Sequence, residues 1–130
     1  MNEIKHLFSS DRVFAPYDFL VSHRQLLLRS DKIKGYPSNI DIIFFDVKYM
    51  ELPSTLDSIA ISEIPSDLVA EKLQSYSGTC YQIQANGDDF YVIAGEVRVF
   101  KNLLELSETS LGVLEYKGRD KEVILQADNH

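Results

Sequence analysis

Apolar and polar positions along this chain group into short runs of strand-like alternation, and the densest run of β-branched and aromatic residues is Ile40–Leu52, IDIIFFDVKYMEL. Pro37-Ser38-Asn39 and Pro53-Ser54-Thr55 bound it. The run is shorter than the ~20 apolar residues needed to cross a bilayer. With turn residues at both ends it reads as one or two buried strands, bent or bulged at Asp46. His23–Ser30 supplies a facing strand across a loop centred on Gly35. Setting Leu28 opposite Ile42 brings Leu26 against Phe44, Arg29 against Asp41 and Arg24 against Asp46. A one-residue slip loses both the apolar stack and the charge pairs, so this register is the expected one. The even-numbered face (Leu26, Leu28, Ile40, Ile42, Phe44) then faces the core. The odd-numbered face mixes His23, Gln25, Leu27 and Arg29 with Asp41, Ile43 and Phe45, the pattern of a half-covered face or a groove.

A second hairpin is signalled by Asn86-Gly87, the favoured pair for a type I′ turn because both central residues need positive φ. A two-residue loop sets Ile83 opposite Phe90, Tyr81 opposite Val92, Gln84 opposite Asp89 and Gln82 opposite Tyr91. Gly95 marks a bend before Glu96–Phe100, and Ser58–Glu63 reads as a further strand. Towards the N-terminus, Glu3–Phe8 is expected to form a helical turn. Phe14–Ser22 is expected to be extended, with Pro16 at a sheet edge. Pro65-Ser66-Asp67 opens the one main helix, at about 66–76: Ser66 as cap, Val69, Leu73 and Tyr76 at helical spacing, and Gly78 to end it. Asn102–Ser107 fits either a short helix or an irregular bridge. Leu111–Tyr116 and Glu122–Gln126 read as a last hairpin, and 127–130 as a loose tail. The expected fold class is α+β: a single β-rich domain, 1–130, of antiparallel hairpins, about 8–10 strands in a sheet or partly open barrel, with that helix against it.

Composition narrows the function classes. The 130 residues carry a formal charge of −7, unevenly placed: residues 1–35 balance at +2 and the remainder at −9. Phosphate backbones are repelled by most of such a surface, so nucleic acid is not an expected partner; an acidic surface suits solubility first, and a basic protein partner only after that. No basic start followed by an apolar segment marks a secretory signal, and no membrane partner is expected. The single cysteine, Cys80, excludes a disulfide framework and a cysteine metal cluster, which favours a reducing cytoplasm.

Tyr17–Ser30, YDFLVSHRQLLLRS, followed by Ile40–Val47, IDIIFFDV, and Glu51-Leu52-Pro53, resembles a group of small uncharacterised bacterial proteins. In that group a serine-histidine-led QLLLRS strand precedes an aspartate-bearing apolar strand. The likeness covers about residues 17–61. It implies a bacterial cytoplasmic protein, and it implies neither an activity nor any functional residue.

Candidate chemistry is sparse. Ser22 and His23, as neighbours on a strand, point to opposite faces, so this serine is not activated by this histidine. His23 with Asp41 or Asp46 offers an oriented base, against the plainer reading of a strand-edge histidine. Arg29 with Asp41 offers one wall of an anion-binding groove, against a cross-strand ion pair, and Arg24 with Asp46 poses the same choice. His6, His23 and His130 lie far apart, and Asp88-Asp89 lacks the ligand alternation of a calcium loop, so no metal is expected. Neither GxGxxG nor GxxxxGK[ST] occurs, and no cofactor is expected. Cys80, with no basic neighbour, reads as a small core residue.

Three functions remain. The first is a non-enzymatic cytoplasmic binding or regulatory domain acting through protein–protein contacts, with an immunity-type neutraliser of a basic toxin as one form. The second is a small enzyme or small-ligand binder using the mixed face of hairpin 23–45, with His23, Arg29 and Asp41 as its polar set. The third is a self-assembling structural subunit, a homo-oligomer whose sheet edges pair between copies.

Overall fold

The computed structural model describes residues 3–32, 35–105 and 107–111. Eight strands run through them: β1 (Lys5–Leu20), β2 (Gln25–Ser30), β3 (Asn39–Phe45), β4 (Tyr49–Met50), β5 (Leu56–Ile64), β6 (Thr79–Ala85), β7 (Asp88–Ala94) and β8 (Glu96–Asn102). All neighbours are antiparallel, in the order β4-β7-β6-β5-β1-β2-β3-β8.

The long strand β1 belongs to two sheets. Its first part, Lys5–Phe14, pairs with β5, and its last part, Ala15–Leu20, pairs with β2. Sheet A is therefore β1-β5-β6-β7-β4, and sheet B is β1-β2-β3-β8. The sheets are joined a second time where β3 runs on into β4 and β7 into β8. At that corner Asp46 takes a left-handed backbone (φ 55°), the Gly95 amide donates to Phe45 O (2.8 Å), and the Lys48 amide donates to Ile93 O (2.7 Å). The strands thus wrap into a flattened barrel around one core containing Phe8, Phe14, Leu28, Ile42, Phe44, Ile61, Ile83 and Val92.

The first hairpin has the expected register, with Leu26↔Phe44, Leu28↔Ile42 and Arg29↔Asp41 paired. Arg24 departs from it: it sits in a turn with φ 51°, and Asp46 pairs with Lys48 instead (3.3 Å). The second hairpin also has the expected pairs, from Tyr81↔Val92 to Gln84↔Asp89. Asn86 (φ 58°) and Gly87 (φ 77°) supply the two positive φ angles of its turn. The Asn86 side chain also ties the hairpin to the preceding loop, donating to Thr55 O (2.7 Å) and accepting from the Asp57 amide (2.8 Å).

Two expectations are overturned. The helix at 66–76 is absent, so the described fold is all-β and not α+β. Two 3₁₀ turns, Ser66–Leu68 and Glu71–Leu73, stand in its place, with Val69 and Ala70 extended between them. Ser66 does not cap a helix; Pro65 occupies that position without a side-chain bond. The reason is geometric. Ile64 and Cys80 are direct ladder partners, so the connection must return over one sheet end. A continuous helix of three turns is marginal alone. Breaking it turns Leu73 onto Ile64, Cys80 and Ile93, while Leu68 and Tyr76 remain exposed. Gly78 (φ +116°) closes the return, where a Cβ would meet Ala94 O at 2.9 Å.

The second correction concerns Glu3–Phe8, whose expected helical turn is strand from Lys5 onward. Phe8, Ser10, Arg12 and Phe14 are the buried positions of β1, so the inward parity carries two polar residues and conceals the alternation. Asn102 ends β8, and 103–105 form no regular element. The last hairpin and the loose tail lie outside the described residues beyond Leu111.

Candidate functional site

The outer face of sheet B carries the polar residues that sequence reasoning selects. Arg29 and Asp41, opposed on β2 and β3, form a two-pronged pair: Arg29 Nε to Asp41 Oδ1 at 2.7 Å and Arg29 Nη2 to Oδ2 at 2.9 Å. Both side chains are wholly buried. Segment 103–111 crosses over them. Its Ser110 hydroxyl donates to Asp41 Oδ2 (2.7 Å), its Glu108 carbonyl accepts from Arg29 Nη1 (2.8 Å), and Leu111 packs on Leu27, Ile43 and Phe100. Asn102 adds a further donor to Asp41 (2.8 Å). Asn39 in turn bonds Asn102 Oδ1 and Leu104 O. Four donors thus reach the Asp41 carboxylate, one at Oδ1 and three at Oδ2. Burial opposes the Arg29 charge, but the bond and charge of Asp41 outweigh it, and the guanidinium lies above its ordinary value. The Tyr17 ring lies 4.4 Å beneath that guanidinium. The mixed face is covered, and the pair acts as the pin that holds the cover.

His23 is not part of this cluster. It lies on the exposed turn after β1, where its Nδ1 is 2.9 Å from Ser22 Oγ. The expected opposition of Ser22 and His23 therefore fails, because the two sit in a turn and not on a strand. Arg29 and Asp41 are brought together; His23 stands apart. A second buried arginine, unselected from sequence, lies on the inward side of β1: Arg12 donates to Ser30 Oγ (2.9 Å), Ser30 O (3.1 Å) and Ser38 O (2.8 Å), under the Tyr36 ring. It fastens β1 to the end of β2.

The two sheets part along two seams, and these differ. One separates β8 from the first half of β1. Leu7, Phe8, Ile61, Val97 and Val99 fill it, leaving about 60 Å³. The other separates β4 from the second half of β1. It holds a groove of about 430 Å³ lined by Pro16, Tyr17, Asp18, Phe19, Leu26, Met50 and Leu52. Phe19 and Leu52 rest on the main core, so the groove floor is continuous with it. Both lips are strand edges paired on one side only: Ala15–Leu20 with β2, and Tyr49–Met50 with β7. β1 leaves β5 after Phe14, and its pairing with β2 carries a bulge between Pro16 and Asp18 at the groove. Met50 stands 43 % exposed at the rim. Its signal in the sequence was the proline inside an extended segment, together with apolar residues continuing past Asp46.

A third feature lies on the outer face of sheet A: a cavity of about 460 Å³ beneath the 65–78 connection, lined among others by Glu63, Leu73, Tyr76, Cys80 and Ile93. Burial, and then the charge of Glu51, push the Cys80 thiol upward. Among the described residues no group of three or more His, Cys, Asp or Glu is placed to hold a metal, and no helix is long and apolar enough to cross a membrane. No family model matches the chain, and no match was found among curated proteins or solved structures.

Proposed function

We propose that this protein is a non-enzymatic binding domain of the bacterial cytoplasm that recognises another protein by taking an extended segment of it into the open seam between β1 and β4. The groove is the observation that carries this reading. Its lips are strand edges with backbone groups to offer, and its floor is apolar. Addition of a strand to such an edge draws affinity from main-chain hydrogen bonds and specificity from pockets for alternate side chains. A segment with every second residue apolar would seat those side chains towards Leu26 and Leu52.

Charge supports a basic segment. Asp18 lines the groove, Glu51 lies between Met50 and Leu52, and the chain carries −7 overall. An immunity-type domain that holds a basic toxin is the narrowest form of this reading. The cytoplasmic assignment rests on the one cysteine, buried as a free thiol, and on the resemblance of residues 17–61.

The test is selection of extended peptides from a displayed library, against the wild-type chain and against Met50→Asp. Enriched sequences should alternate apolar residues with Lys or Arg and should lose binding to the variant. Enrichment unaffected by Met50→Asp would contradict the reading. So would light scattering that gives a dimer for the wild-type chain and a monomer for Met50→Asp, which would assign the seam to a second copy.

A further inference from the structure

We infer that the open seam selects its partner by chain direction and register: the incoming segment runs antiparallel to both β1 and β4, with a lysine or arginine set opposite Asp18. This rests on the seam reading above and adds to it the sense and alignment of the segment.

Every ladder is antiparallel, so chain sense reverses at each step along the strand order. From β1 through β5, β6 and β7 to β4 there are four reversals, and β4 runs in the same sense as β1. From β1 through β2 and β3 to β8 there are three, and β8 runs in the opposite sense. The two seams differ accordingly. β8 and β1 close on each other through Leu7, Val97 and Val99, leaving about 60 Å³. β4 could close on β1 only as a parallel pair, the weaker arrangement, and about 430 Å³ stays open. One strand of the opposite sense makes antiparallel ladders with both lips at once.

The lips fix the alignment. Met50 is the ladder partner of Val92, and the next amide, that of Glu51, donates to Tyr91 O on β7 (3.1 Å). Backbone groups alternate sides along a strand, so Met50 turns its own amide and carbonyl towards the seam. On β1, Pro16 has no amide to donate and the bulge follows it, which leaves Asp18–Leu20 as the regular lip. A strand of about four residues, at the short end of the usual range, fits lips of this length.

Side chains on the two lips sort by face. Phe19 pairs with Leu26 and packs on the core, whereas Asp18 pairs with Leu27 of the outer cluster. Asp18 therefore stands on the outer side of the β1 lip. Met50 pairs with the core residue Val92, so Glu51 also stands on the outer side, where the Tyr49 hydroxyl donates to its Oε2 (2.7 Å). An incoming residue opposite Phe19 meets Leu26 and Leu52 and is apolar. Its neighbour opposite Asp18 lies on the side that carries both carboxylates and is basic.

The experiment uses the full chain and a peptide of alternating valine and lysine that begins and ends on valine. Such a peptide reads the same in both directions, so its side chains do not choose a sense. A nitroxide is attached to one end or the other, and the amide signals of Ala15, Leu20, Tyr49 and Leu52 are followed by NMR. A label at the N-terminal end should broaden Leu20 and Leu52 most, and one at the C-terminal end Ala15 and Tyr49. Asp18→Asn, at a partly exposed position, should weaken the peptide about two- to fivefold at low salt. The reversed pattern, or equal broadening of both ends by each label, would overturn the inference and leave the seam reading in place. Full affinity in Asp18→Asn would overturn the register in the same way. Absence of saturable shifts with the peptide, or a dimer that the peptide dissociates, would overturn the seam reading and this inference together.

Discussion

The covered face of sheet B and the open seam invert the usual association of charge with function. Sheet B carries the arginine and aspartate that draw the eye in the sequence, yet both are buried and Asp41 accepts four hydrogen bonds from within the protein. The seam carries Pro16, Phe19, Met50 and Leu52, which look like ordinary strand residues, yet they surround about 430 Å³ of open groove. Hydrogen-bond saturation decides the matter. A polar cluster whose donors and acceptors are already matched has nothing left to offer a ligand, whereas strand edges paired on one side still have a ladder to complete.

The comparison can be broken first at Asp41. Asp41→Ala leaves the Arg29 charge buried without its carboxylate and should cost about 3–5 kcal/mol of stability in urea unfolding. The double replacement Arg29→Met with Asp41→Leu should recover most of that loss, because an apolar pair needs no partner. Retention of full stability by Asp41→Ala would show that segment 103–111 is not pinned there. Met50→Asp should do the reverse. It should reduce binding of a seam peptide by about 2 kcal/mol, roughly thirtyfold, and leave the unfolding midpoint nearly unchanged, as titration calorimetry beside thermal melting would reveal.

Ser110→Ala removes one of four donors to Asp41 and should lower stability by about 1 kcal/mol. His23→Ala, on an exposed turn, should shift stability by no more than about 0.5 kcal/mol and leave peptide binding intact. A larger effect on binding would return His23 to the functional surface.

Both hairpins were legible because their turn residues and cross-strand pairs agreed. Asn86-Gly87 demanded two positive φ angles, and Leu28 with Ile42 aligned apolar and charged pairs together. The helix was misread because Val69, Leu73 and Tyr76 satisfy a helical period that tertiary geometry overrides: the connection has to span the short gap from Ile64 to Cys80. Strand β1 was obscured by Ser10 and Arg12, polar residues on an inward face: Ser10 accepts from the Arg12 amide, and the Arg12 side chain reaches Ser30 and Ser38, which are distant in sequence. The pairing of Arg29 with Asp41 was readable from register. Its burial was not, because the cover comes from residues 62 or more positions later. The groove was not legible for a similar reason: Pro16 marks one strand edge, but nothing in either segment shows that this edge faces the edge of β4 across a gap.

One measurement bears most directly on the open seam. Amide hydrogen exchange would be recorded for the wild-type chain with and without a synthetic peptide of alternating valine and lysine. Strand completion predicts that amides within Tyr17–Leu20 and at Met50–Leu52 exchange more slowly with peptide present, while those of Arg29, Asp41 and Cys80 do not change. Protection at the outer edge of β8, or none at Tyr17–Leu20 under saturating peptide, would contradict it.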